Sequence, residues 1–105
     1  MSFIRVCPLA EIPVDSAISA RINDTPMAVV RTSENVYAIS ELCSHAQISL
    51  AQGEVYGTVI ECWLHGSRFD LPTGKPTNPP ATDPIATYPV KVEDGDVYVS
   101  PTPDN

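Results

Sequence analysis

Cys43-Ser-His45 and Cys62-Trp-Leu-His65 each set a thiol beside an imidazole, with sixteen residues between them. Both histidines of the chain and two of its three cysteines stand in these two short stretches. Thiolate sulfur and neutral imidazole nitrogen are metal ligands, so the pattern points to a metal site clamped between two loops. In an extended segment residues i and i+2 face the same way, which puts Cys43 and His45 on one side. A tight turn over Cys62-Trp-Leu-His65 achieves the same for the second pair.

Ligand order narrows the metal. Zinc fingers usually group two cysteines first and two histidines later, whereas the order here is Cys, His, Cys, His. An all-cysteine [2Fe–2S] site needs four cysteines, and the chain has three. Two cysteines and two histidines suit a [2Fe–2S] core in which histidines replace cysteines on one iron. A zinc-stabilised interaction module is the competing reading of the same residues.

Cys-x-His followed sixteen residues later by Cys-x-x-His and Gly66 resembles the signature of the Rieske ferredoxins, above all the small ferredoxins of bacterial aromatic ring-hydroxylating dioxygenase systems. The likeness covers most of the chain, running through the proline-rich segment and the closing hairpin. It implies one [2Fe–2S] cluster per chain, with Cys43 and Cys62 on one iron and His45 and His65 on the other. It also implies supporting positions at Trp63, Gly66, Ser67, Pro79 and Pro80. Asn78-Pro79-Pro80-Ala81 resembles the family's proline loop and reads as a lid over the cluster. The implied function is one-electron transfer from a flavin-containing, NAD(P)H-dependent ferredoxin reductase to a terminal Rieske oxygenase. The chain would then be a carrier and not an enzyme, and no nucleophile–base pair or open metal position argues otherwise. The runner-up is a small Rieske subunit of another oxidoreductase, such as nitrite reductase.

Histidine ligation raises a cluster's potential into a window of roughly −150 to +300 mV, and hydrogen bonds to the sulfurs set the place within it. High-potential members of the superfamily carry an extra cysteine in each ligand loop, joined as a disulfide, and a tyrosine four residues beyond the second histidine. Here those positions are Ile48, Leu64 and Phe69, while Ser67 is retained. A low potential for a Rieske centre is therefore expected.

The elements that hold such loops read as short strands. Phe3 to Val6 alternates. Ala17 to Ile22 alternates Ile18, Ala20 and Ile22 against polar neighbours. Met27-Ala28-Val29-Val30 is apolar throughout and fits a strand buried on both faces. Thr32 to Asn35 is a polar turn, after which Val36 to Ile39 returns antiparallel. Val55 to Ile60 supplies strand material between the ligand loops, with Gly53 and Gly57 read as turn residues. Tyr88 to Val92 and Val97 to Val99 flank Asp94-Gly95, a hairpin signal. The expected architecture is all-β: an antiparallel sandwich base domain carrying a small cluster-binding lobe of about residues 41–80, within one Rieske domain spanning 1–105.

The 105 residues suffice for one domain. Thirteen acidic against six basic residues give −7, which disfavours nucleic acid and anionic membrane and favours basic patches on protein partners. No signal peptide or membrane span is read, so a cytoplasmic location is expected; the chain is also expected to be a monomer. Cys7 reads as a small apolar residue near the first strand. Arg68 and Lys75 are the cations nearest the ligands in sequence and read as solvated surface charges.

Overall fold

Four consecutive apolar residues can all be buried only if a strand has a core on each face, and Met27-Ala28-Val29-Val30 satisfies this. In the computed structural model the four lie in β3 (Thr25–Arg31) and are fully buried. Met27 and Val29 enter one core with Cys7, Ile12, Val97 and Val99. Ala28 and Val30 enter a second with Ile39, Leu50, Ile60, Cys62 and Phe69. The structure describes residues 3–42, 48–63, 66–78 and 83–104.

β3 pairs antiparallel with β2 (Ser16–Ile22) and β4 (Val36–Ser40), and β4 pairs with the two-residue β8 (Thr87–Tyr88). This is the middle layer. On one face lies the sheet β1-β10-β9, formed by β1 (Ile4–Pro8), β9 (Val90–Glu93) and β10 (Asp96–Val99). Beyond the other face lies the lobe sheet β5-β6-β7, from β5 (Glu54–Tyr56), β6 (Val59–Glu61) and β7 (Arg68–Asp70). Both ladders of the lobe sheet are antiparallel, and sequence neighbours are joined by hairpins.

Most of the expected strands appear. The Asp94-Gly95 hairpin does too, between paired Glu93 and Asp96. Both turn residues have positive φ, 52° and 80°, as a type I′ turn demands. One strand divides. Tyr88 to Val92 is two strands in different sheets, because Pro89 has no N–H to donate to a ladder. Its carbonyl instead accepts the Ser100 N–H at 3.0 Å. Val55 to Ile60 folds into the β5–β6 hairpin around Gly57-Thr58, with Gly57 at φ 58°. Gly53 needs no turn geometry, having φ −81°. A Cβ there would instead collide with the Glu61 carbonyl oxygen, so close approach of the two backbones requires glycine.

Candidate metal centre

Of the four candidate ligands, Cys62 is described. Cys43, His45 and His65 lie outside the described residues, as do Leu64, Pro79, Pro80 and Ala81. The frames of both ligand loops are in view.

The first frame closes the segment from Leu42 to Ser49. These two residues form an isolated antiparallel bridge, and the Leu50 N–H donates to the Glu41 carbonyl at 2.6 Å. The Glu41 carboxylate accepts from the Ser49 hydroxyl at 2.8 Å and the Ser19 hydroxyl at 2.7 Å, tying the loop's exit to β2. Ser49 then caps the 3-10 turn Leu50–Gln52 by accepting the Ala51 N–H, a local bond that short hydroxyl side chains commonly make. Ile48 packs against the second core.

The second frame is the β6–β7 hairpin. Its strands end at Glu61 and begin again at Arg68. The Cys62 N–H donates to the Ser67 carbonyl at 2.7 Å, and the Gly66 N–H donates to the Cys62 carbonyl at 3.0 Å. Gly66 turns the chain at φ 73°, a conformation that side chains disfavour. Cys62 and Ser67 are fully buried, and Cys62 is a free thiol rather than half of a disulfide. Phe69 is fully buried in the same core as Cys62.

The chain around this loop is stitched further. Residues 76–78 run beside β7: Phe69 bridges Pro76, and the Thr77 N–H donates to the Arg68 carbonyl at 2.8 Å. Asn78 reaches back to the loop itself, accepting the Arg68 N–H at 2.7 Å and donating to the Gly66 carbonyl at 3.1 Å. Sequence reasoning missed this contact, because nothing in Asn-Pro marks a partner ten residues upstream.

Arg68 is engaged as well as exposed. Its guanidinium pairs with Glu61 at 2.8 Å. It also lies 5.7 Å from the centre of the Tyr56 ring, within the range of a cation–π contact. The hydrogen bond from Arg68 to Glu61 raises the arginine pKa. Tyr56 donates to Glu54, which pushes its hydroxyl pKa up. Trp63, 53% exposed, and Leu42, 40% exposed, are large apolar residues adjacent in sequence to Cys62 and Cys43.

Among the described residues no three histidine, cysteine or acidic side chains gather as a metal site, since three of the candidate ligands are not among them. What is described fits a metal centre: a buried, unpaired thiol on a tight glycine-turned loop.

The sequence matches the Rieske [2Fe-2S] domain over residues 2–89. The chain belongs to the Rieske [2Fe–2S] family. The family's cofactor is one [2Fe–2S] cluster per domain. The 3-phenylpropionate/cinnamic acid dioxygenase ferredoxin subunit of Escherichia coli strain K12 is 41% identical over 101 residues, 94% of this chain and 93% of that one. The ferredoxin of carbazole 1,9a-dioxygenase from Nocardioides aromaticivorans IC177 superposes with a TM-score of 0.92 at 36% identity, covering 97% and 100% of the two chains. A chain from a complex of reduced oxygenase and oxidised ferredoxin in carbazole 1,9a-dioxygenase gives 0.90 at 33% identity, over 98% and 96%. A putative nitrite reductase small subunit from Mycobacterium tuberculosis gives 0.84 at 16% identity over 96% of each chain, a likeness of fold alone. The three-layer antiparallel architecture is thus the Rieske fold.

Proposed function

We propose that this Rieske protein is a ferredoxin carrying single electrons from a flavin-containing, NAD(P)H-dependent reductase to a terminal aromatic ring-hydroxylating oxygenase. The supporting observation is its likeness, over nearly the whole of both chains, to ferredoxins of aromatic dioxygenase systems. In this reading residues 1–105 are one Rieske domain with a lobe of about residues 41–80. Cys43 and Cys62 hold one iron and His45 and His65 the other. When bound, the cluster supplies a reversible one-electron couple.

The chain's own residues give that couple a fixed and dry setting. The Cys62 thiol is sealed from water, and its loop is held by backbone bonds to Gly66 and Ser67. Glu41 anchors the other ligand loop to the middle sheet through Ser19 and Ser49. Leu42 and Trp63 offer apolar surface beside the ligands for a partner to cover. The net charge of −7 steers the chain toward basic patches on both partners, giving brief, salt-sensitive encounters. The carrier acts as a cytoplasmic monomer, and no described helix is long and apolar enough to cross a membrane.

Metal analysis tests the core of this reading. Protein purified anaerobically should hold about two irons and two acid-labile sulfides per chain and be red-brown. It should be reduced by NAD(P)H only when a flavin reductase is added. Stoichiometric zinc without iron would overturn the proposal.

A further inference from the structure

Asn78 stands twelve residues beyond Gly66 in the chain, yet its side chain bridges the exit of the second ligand loop. The Arg68 N–H reaches its Oδ1 at 2.7 Å, and its Nδ2 reaches the Gly66 carbonyl at 3.1 Å. These two partners flank Ser67, which is fully buried. The amide's orientation follows from its partners, because the flipped form would face donor to donor and acceptor to acceptor. Gly66 is thereby held at both ends, its N–H by the Cys62 carbonyl and its own carbonyl by Asn78. A restraint matters here because Gly66 has a left-handed φ of 73°, and glycine can readily leave that conformation.

We propose that Asn78 is a positioning residue for the second ligand loop, locking Gly66 and Arg68 together so that the buried Cys62 sulfur stays dry. The proposal rests on the reading of Cys62 and His65 as cluster ligands. Without the bridge, the Gly66 carbonyl and the Arg68 N–H turn to water, and the loop can open toward solvent. Reduction adds a negative charge, which water solvates better than a closed loop does. Wetting the loop therefore raises the potential, solvent exposure being one of the factors that set it. Opening also lets a chelator reach the iron. The change stays local, because the Thr77–Arg68 and Asp70–Lys75 backbone bonds hold the neighbouring strap without Asn78.

The test uses the cluster-loaded protein and the variants Asn78→Ala and Asn78→Gln. Alanine removes both bonds, whereas glutamine, used in place of aspartate because a carboxylate would face the Gly66 carbonyl acceptor to acceptor, keeps both the donor and the acceptor on an arm one methylene longer. In Asn78→Ala the one-electron equilibrium with a redox dye should shift about threefold toward the reduced protein, ~28 mV for a one-electron couple. Iron release to a chelator should quicken at least threefold, with Asn78→Gln between alanine and wild type. A merely structural contact would lower the melting temperature without moving the potential. Wild-type potential and iron release in Asn78→Ala overturn the proposal. If Asn78→Ala fails to retain iron, Asn78→Gln decides: intermediate release supports the clamp and wild-type release overturns it. Cys62→Ser reports separately on the ligand reading, which full iron content in that variant would sink.

Discussion

Gly53→Ala is a one-carbon change predicted to disturb the metal site from outside it. The backbone at Gly53 has φ −81° and ψ −179°. That region is open to any residue, so alanine meets no dihedral penalty. It meets a wall instead. The new methyl carbon would overlap the Glu61 carbonyl oxygen and sit 3.0 Å from that carbonyl's carbon and 3.2 Å from the Leu50 oxygen. Contacts under 3.0 Å essentially do not occur, so the two segments must move apart. Overpacking costs roughly 1–3 kcal/mol, and a backbone oxygen cannot rotate aside, so the upper part of that range applies. The stiffer unfolded chain returns about 0.4–1 kcal/mol. A net loss near ~2 kcal/mol lowers the melting temperature of a domain this size by roughly 10 °C. Glu61 directly precedes Cys62, so the displaced strand carries a proposed ligand, and iron per chain should fall with stability. Circular dichroism against temperature reads the first effect, and visible absorbance with iron analysis the second. Gly57→Ala is the control. It lies in the same lobe, at φ 58° with open space around it. It should cost ~1–2 kcal/mol of backbone strain and leave the iron content intact. A Gly53→Ala protein with wild-type melting temperature and iron content would refute the close-approach argument.

Phe69→Tyr should raise the midpoint potential, because the new hydroxyl is buried in the core that holds Cys62 and a sulfur is an acceptor. The rise should be ~tens of millivolts, where about 59 mV is tenfold for one electron. Voltammetry checks this, and an unchanged or lowered potential would contradict it. Cys7→Ser should keep the visible spectrum and potential, since Cys7 lies in the other core; loss of colour would show that it matters to the cluster. Burial also pushes the Cys7 thiol pKa up. Its contribution is therefore intact below the unfolded value of about 8.5 and lost as pH rises through the raised folded value. Alkaline denaturation of Cys7→Ser should accordingly lose that part of its pH slope. Electron transfer to an oxygenase should slow as salt rises, and Trp63→Ala should slow it several-fold at an unchanged potential; stopped-flow rates indifferent to both would place the docking face elsewhere.

Much of this fold is legible because its middle strand is so plainly two-faced. Met27-Ala28-Val29-Val30 has no polar side, and only a strand with cores on both faces uses such a run. The Asp94-Gly95 turn is equally readable, since its left-handed residues leave a chemical trace. Pairing at a distance leaves none: nothing local in Ile4 to Pro8 says that it will join β10, some ninety residues on. β7 escapes notice because three residues, Arg68-Phe69-Asp70, are too short for an alternation to register. Gly53 shows a related gap. Sequence identifies a glycine, but a turn and a close approach look alike until the neighbouring strand is in place.

The ligand pattern announces itself through residue types, whereas the frame around it is written in backbone. Cys62 is set by its own carbonyl and N–H, the Gly66 turn, and an amide from beyond β7. These contacts are made largely to main-chain atoms, which every residue has, so no composition or spacing rule can display them. The packing behind the loop is equally non-local. Cys62 shares its core with Ala28, Val30 and Ile39 of the middle sheet and with Ile60 and Phe69 of the lobe. The middle sheet's other face packs against the strands that close the chain. A change in β3 therefore presses on both cores at once. The base layers thus help to hold the Cys62 loop in shape, and substitutions far from the ligands in sequence can reach it through a single shared strand.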